Sequence, residues 1–327
     1  MYSRFTIFNK PEPNKKRVFF LDSKLFSKCL FLFVALLLCG QFAFSQLRVV
    51  SIEKVNLPEK VSSYNPKFSP DGKSIFFSNT SYNGIWRYNI AEKTTQEITT
   101  DGVTGFGFEI NKAGNKIAYR KTTFEGVERK QEIIEQDLNN YSTTVLGTAR
   151  NISTPVYFNE KIITSENIAE LPSVQAFSEE VALLGIEKTK IVILKNGKKE
   201  IIDPLGEGNY IWPSLSPDGK TILAVSVGQG AFLCTTDGNV IQRFDGRKNA
   251  PAFTHDGKWI VYMVDTDDGH QILDSDIYAV SVDGQTTIRL TNNNKINMNP
   301  APSATENKIA FSTLDGELFI LSYEETR

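Results

Sequence analysis

Cysteine, histidine and unbalanced charge are all scarce in this chain of 327 residues, and each scarcity closes off a class of function. Of three cysteines, Cys29 and Cys39 lie in one apolar stretch near the N-terminus, which leaves Cys234 alone in everything that follows. A single thiol forms no intramolecular disulfide, so packing must hold the fold. The two histidines, His255 and His270, are too few for a multi-histidine metal site, and neither sits in a nucleophile, base and orienter arrangement. A formal charge of -2 supplies no basic excess for a nucleic-acid backbone. Long apolar runs are missing too: CLFLFVALLLCG, from Cys29 to Gly40, is shorter than the roughly 18 to 20 residues that cross a bilayer.

That run has a different meaning. Seven basic residues, among them Lys15, Lys16 and Arg17, precede it, and Ala43-Phe44-Ser45 follows as a small-residue cleavage site. The pattern is that of a secretory signal peptide over residues 1–45, with the mature chain starting at Gln46. Leu38 stands before Cys39 where a lipidation box needs a small residue, so lipidation is not expected. Export to the periplasm or the cell exterior is, with no stable transmembrane segment after cleavage. Without residues 1–45 the chain keeps 29 basic and 36 acidic residues, a charge of -7 that again disfavours nucleic acid.

After Gln46 short apolar or alternating stretches are separated by Asp-Gly, Asn-Gly and Pro-Asp-Gly turns, which predicts strands throughout. One unit recurs. Its clearest copies are NPKFSPDGKSIFFS from Asn65, WPSLSPDGKTILAVS from Trp212 and APAFTHDGKWIVYMV from Ala250; weaker ones begin at Phe108, Thr154 and Asn299. The isoleucines after each turn, Ile75, Ile117, Ile162, Ile222, Ile260 and Ile309, are 42, 45, 60, 38 and 49 residues apart. Six such units predict an all-β chain folded as a six-bladed β-propeller, in which radial stacking buries sheets that could not stand alone. A β-sandwich is the alternative, and the regular spacing argues against it.

In each unit Pro70, Pro217 or His255 precedes Asp-Gly, a turn chemistry that joins the innermost strand to the second. Third strands are expected at Ile85 to Asn89, Asp276 to Val280 and Glu317 to Ser322, and fourth strands at Thr95 to Ile98 and Thr286 to Leu290. The last unit has no residues for a fourth strand, and Leu47 to Ile52 is expected to fill that place as a latch. The 60-residue interval is too short for two blades, which predicts an insertion over about 166–187, with strands returning at Lys190 to Leu194 and Glu200 to Ile202.

Phe68-Ser69-Pro70-Asp71-Gly72-Lys73-Ser74-Ile75-Phe76-Phe77, with Asp276-Ile277-Tyr278, Asp283-Gly284 and Arg289-Leu290-Thr291-Asn292, resembles the repeat of the TolB-like β-propellers. The resemblance covers nearly all of Gln46 to Glu324. It implies an envelope or periplasmic platform for protein interaction, although related propellers serve as peptidase lids or degrade polysaccharides. The peptidases need a G-x-S-x-G hydrolase domain that this chain does not contain. The lyase-like propellers use several metal-binding histidines, which two cannot supply.

Candidate sites follow from the topology. Loops between strands two and three, and between blades, emerge on the face opposite the Asp-Gly turns, where binding belongs. Asn65, Gly107, Thr154, Trp212, Ala250 and Asn299, each at the start of an inner strand, should ring the channel mouth, with Tyr64, Tyr210 and Trp212 as aromatic ligand contacts. Trp212 packed between blades is the plainer reading. The loop Asp265 to Asp276 supplies Asp265, Asp267, Asp268, Asp274 and His270; its oxygens suit calcium, but it lacks EF-hand spacing, and a solvated acidic loop is the simpler expectation. No other cofactor is implied. In the expected insertion, Leu171, Val174 and Phe177 form a candidate partner-binding patch. The function expected is an exported, non-catalytic binding module for an envelope protein or glycan. The alternatives are a carbohydrate-active enzyme with a carboxylate pair on the loop face and a structural envelope component.

Overall fold

The fold is given by a computed structural model of the protein, which describes residues 46–164 and 181–326. The expected leader 1–45 and Leu171, Val174 and Phe177 lie outside the described residues. Every regular element described is a strand, and together they form the expected six-bladed β-propeller.

The chain opens with β1 (Gln46–Val55), which belongs to the last blade. Blade 1 is β2 (Tyr64–Phe68), β3 (Ser74–Ser78), β4 (Ile85–Asn89) and β5 (Thr94–Thr99); blade 2 is β6 (Phe108–Ile110), β7 (Lys116–Glu125), β8 (Glu128–Asp137) and β9 (Thr143–Ala149). Blade 3 draws on β10 (Val156–Phe158), β11 (Lys161–Ile163), β12 (Val181–Glu187), β13 (Lys190–Lys195) and β14 (Lys198–Ile202). Blade 4 is β15 (Tyr210–Leu215), β16 (Thr221–Ser226), β17 (Gly230–Thr235) and β18 (Val240–Arg243), and blade 5 is β19 (Asn249–Phe253), β20 (Trp259–Asp267), β21 (Ile272–Ser281) and β22 (Thr287–Arg289). Blade 6 is β23 (Asn297–Pro302), β24 (Lys308–Thr313) and β25 (Leu318–Thr326), completed by β1.

The second strands are the core. Their side chains alternate between the two neighbouring blades, and both sides are covered, which is why these segments read as continuous apolar runs. Ile75 and Phe77 meet Ala310 and Leu318 of blade 6, whereas Phe76 meets Ile117 and Tyr119 of blade 2. Likewise Ile222 and Ala224 meet Ile191 and Ile193 of blade 3, and Leu223 and Val225 meet Ile260 and Tyr262 of blade 5. Full burial of each such side chain stabilises by about 1.5–3 kcal/mol.

The hairpin turns repeat atom for atom. Ser69, Ser216 and Thr254 each donate a hydroxyl hydrogen bond to the aspartate two residues on, at 2.6, 2.6 and 2.7 Å. The same hydroxyls accept the amides of Ser74, Thr221 and Trp259, while Asp71, Asp218 and Asp256 accept those of Lys73, Lys220 and Lys258. Ser281 and Asp283 rebuild the motif between the third and fourth strands of blade 5.

Blade 3 departs from expectation in where its surplus lies. β12 runs through residues 181–187, which the interval arithmetic assigned to an insertion, and β10 pairs in a hairpin with β11. Val181 and Asn196 stand with Asn159 and the turn residues Pro217 and Asp218, whereas the Tyr210 amide is held by the Thr189 carbonyl at the opposite end. β12, β13 and β14 therefore run in the directions of second, third and fourth strands, and β10 holds the inner place. β12 lies against β15 as β16 lies against β19, β20 against β23 and β24 against β2. Ile162 sits in β11 and is not the counterpart of Ile222. The surplus falls between the first and second strands, a place that spacing between isoleucines cannot distinguish.

The latch is present and longer than expected. β1 pairs antiparallel with β25 from Gln46↔Thr326 to Val55↔Leu318, with a bulge between Val49 and Ser51. Leu47 and Val55 are buried, and Arg48 pairs with Glu324 and Lys54 with Glu317. Among the described residues no helix is long and apolar enough to cross a membrane.

Candidate functional site

Four inner strands begin with the same irregularity. In β2 the partners jump from Tyr64↔Ser78 to Lys67↔Phe76, so that Asn65 and Pro66 together oppose one residue of β3. β15, β19 and β23 do the same at Trp212-Pro213, Ala250-Pro251 and Asn299-Pro300. Proline has no amide hydrogen for the ladder and so belongs at a bulge. The residue before it is left-handed in every case, with φ of 50° at Asn65, 49° at Trp212, 46° at Ala250 and 53° at Asn299. Asparagine tolerates that region; alanine and tryptophan are strained in it.

These bulges line the central channel, a cavity of about 580 Å³ walled mainly by proline, alanine and the Trp212 indole. The sequence placed Asn65, Trp212, Ala250 and Asn299 at the channel mouth, and all four are there. Gly107 and Thr154 hold the equivalent places in blades 2 and 3, packed so closely that a Cβ on Gly107 would lie 2.5 Å from Thr154 Oγ1. Trp212 is 43% exposed, so its ring faces the channel and is not packed between blades. The Asn299 Nδ2 and Ser214 Oγ atoms are buried in this wall without a hydrogen-bond partner. Lys67, the one lysine of the lining, is paired with Glu109.

Tyr210 corrects the expectation of an aromatic contact. It is 2% exposed, packs on Phe232 at 5.6 Å, donates its hydroxyl to Asp203 at 2.7 Å and accepts the Leu205 amide at 2.7 Å. Burial and the Asp203 carboxylate push its pKa up to about 12. Tyr210 lies in the regular part of β15, two residues before Trp212 and ahead of the bulge, and its ring packs into the interface with blade 3. Tyr64 does stand near the mouth, edge-on to Tyr82 at 5.0 Å, and Tyr82 stacks on the exposed Phe106 at 3.8 Å. The connection reaches this stack because Gly105 passes where a Cβ would lie 2.0 Å from Ser78 Oγ.

The loop face carries more than this stack. Phe106, Phe124, Val127, Ile186, Val227, Leu273 and Leu314 are all exposed large apolar residues in or beside its loops, drawn from every part of the ring. The turn face exposes fewer of that kind among the described residues: Tyr141, and Val240 and Ile241 where β18 begins. Sequence reasoning passed over these positions, although the signal was available: an apolar residue inside or beside the turn between strands two and three, where polar residues are the rule. Exposed carboxylates of Glu125, Glu128, Asp268, Asp274 and Asp315 lie among them. A larger cavity, about 1230 Å³, opens on the turn face between acids such as Glu109 and Asp218 and lysines such as Lys112 and Lys220.

The acidic loop is built around its own backbone. Asp267 and Asp268 accept the amides of Gly269, His270 and Gln271, Arg247 pairs with Asp267 at 3.1 Å, and Asn249 binds Asp265. Hydrogen bonds from Arg247 and from these amides hold the Asp267 and Asp268 carboxyls below the usual range. No group of three metal-ligating side chains converges among the described residues. Asp276 is instead a structural hub, buried and bonded to Thr291 at 2.6 Å, to Asn297 and to Arg289.

Comparison with known proteins gives the class. The TolB-like β-propeller is the fold. TolB from Acinetobacter baumannii superposes with a TM-score of 0.51 at 17% identity, over 75% of this chain and 58% of that one. The β-propeller domain of Cps50 (Swd1) from Myceliophteria thermophila gives 0.56 at 12% identity, over 81% of this chain and 98% of that one. In sequence, the uncharacterized protein Atu1656 of Agrobacterium fabrum is 29% identical over 114 residues, which take in 33% of this chain and 37% of that protein. The match thus spans little more than a third of the curated relative. No family model matches the chain.

Proposed function

We propose that the protein is an exported binding module of the cell envelope whose loop face docks a partner protein. One observation carries this reading: most of the exposed large apolar side chains at the two ends of the propeller stand on the loop face, with Tyr141, Val240 and Ile241 the exceptions on the turn face. Apolar area gathered on one face costs solubility unless a partner covers it. The intervening carboxylates call for basic residues around the apolar patch of that partner, which steer association and confer sensitivity to salt. The signal-peptide pattern and the shared fold with TolB support the envelope as the place of work.

The test is crosslinking in the native envelope followed by affinity capture of the tagged protein, beside a Phe106→Ser/Val127→Ser variant. Both side chains are exposed, so the variant keeps the fold. A stoichiometric partner captured by the parent, lost with the variant and weakened by salt is the expected result. The same proteins recovered with both forms would sink the proposal.

A further inference from the structure

The outer strand of every blade has one paired edge and one open edge, whose amides and carbonyls can pair with another chain. In five blades that strand carries charge, the usual guard against such pairing: Arg48 in β1, Glu97 in β5, Lys198 in β14, Arg243 in β18 and Arg289 in β22. β9, on the rim of blade 2, has no such guard. Its seven residues, TTVLGTA, include neither a charge nor a proline, and all seven are exposed, which holds for no other outer strand described. A bulge at Leu146 interrupts the pairing with β8 and leaves Val145 and Leu146 side by side, 56% and 49% exposed. β1, β5 and β18 are bulged as well, so the bulge is not what sets β9 apart.

We infer that β9 is a self-association edge, at which two copies of the chain pair β9 to β9, antiparallel about a two-fold axis. The composition of the strand selects a second copy. No charge lies between Thr143 and Ala149, so every antiparallel register of β9 on itself brings only uncharged residues together. In the register centred on Leu146, Thr144 faces Thr148 of the second copy, Val145 faces Gly147, and the two Leu146 side chains meet; threonine pairs and apolar pairs of this kind stabilise a ladder. Any other outer strand laid on β9 would bring a charge to be stripped of water with no opposite charge to meet it. Each copy has one such edge, and pairing consumes it in both, so assembly stops at two. The rim of blade 2 is apart from the loop face, and the inference does not rest on the docking reading of that face.

The test is sedimentation velocity on the purified chain from Gln46 onward, over a dilution series from about 300 to 1 µM, because one strand pair is a small interface and makes a weak dimer. A reversible monomer to dimer equilibrium is expected, and salt should not weaken it, since the contact holds no charge and both copies are net negative. The β9 amides should also exchange with deuterium more slowly at the concentrated end of the series than at the dilute end. Val145→Lys sets two lysines at the contact and should weaken the dimer by about tenfold or more, whereas Val240→Lys, the same change on β18, should leave it unchanged. Both side chains are exposed, so an unchanged melting temperature is expected; Thr144→Lys takes the place of Val145→Lys should that variant melt early. Monomer throughout the series, a dimer indifferent to charge on β9, a dimer dissolved by Phe106→Ser/Val127→Ser instead, or a mass growing past two copies would each overturn the proposal.

Discussion

The hydroxyl of Ser216 ties two strands with two hydrogen bonds, one given to Asp218 at 2.6 Å and one taken from the Thr221 amide at 2.9 Å. Replacing it by alanine leaves a half-buried amide unpaired and frees the aspartate. Ser216→Ala should cost about 1–3 kcal/mol, the range for a buried group deprived of its partner, read as a lower urea midpoint. A midpoint unchanged from the parent would mean that glycine and proline alone shape the turn. Cys234 offers a second check at this scale. It is fully buried in blade 4, and burial pushes its thiol up to about 12, so almost no thiolate exists at neutral pH. In the chain from Gln46 onward it should resist iodoacetamide until the propeller unfolds; rapid labelling of native protein would show blade 4 opening locally.

Strands explain why the latch matters. Without β1 the outer edge of β25 would present its amides and carbonyls to solvent, a template for pairing with another chain. Deletion of Gln46 to Lys54 should lower the melting temperature and produce concentration-dependent aggregation, seen by light scattering on a sizing column. Leu47→Ala, which keeps the strand and removes a buried side chain, should cost about 2–5 kcal/mol without aggregation. A monodisperse, equally stable deletion would show that β25 needs no partner. Most of this scale was legible in the sequence, because Pro-Asp-Gly turns and apolar second strands are local signals: β4 spans Ile85–Asn89 as expected, and the latch differs only at its ends. What escaped was non-local. Tyr210 and Trp212 are both aromatics at the start of β15, and only the bulge that takes in Trp212 and Pro213 decides that one is core and the other lines the channel. Blade 3 misled for a related reason, since β11 carries an isoleucine after a turn and yet lies outside the place of a second strand.

At the scale of the whole molecule, ring closure and turns rest on the same kind of group, a carboxylate stabilised in its charged form. Hydrogen bonds from Ser216 and Ser281 lower the pKa of Asp218 and Asp283, the Lys190 ammonium and the Tyr210 hydroxyl lower that of Asp203, and Lys295 and Lys54 lower that of Glu317 beside the latch. For Asp256 burial alone would raise the value, but the Thr254 hydroxyl, the Lys258 amide and the Lys258 ammonium outweigh it and leave it well below the usual range. Lys258 also reaches Glu325 at 2.8 Å, which fastens the end of β25 to the turn of blade 5. A carboxyl whose folded pKa lies below its unfolded value contributes stability that is fully present above the unfolded value, about 4, and is lost as pH falls through the folded one. The urea midpoint should therefore be flat from pH 7 to about 5 and fall steadily below pH 4. Because Glu317 holds Lys54 of β1 and Lys295 before β23, Glu317→Gln should lower the midpoint at pH 7 and shrink its fall between pH 7 and pH 3. A parent midpoint equal at pH 7 and pH 3 would remove these carboxylates from the balance and leave the ring closed by apolar packing alone.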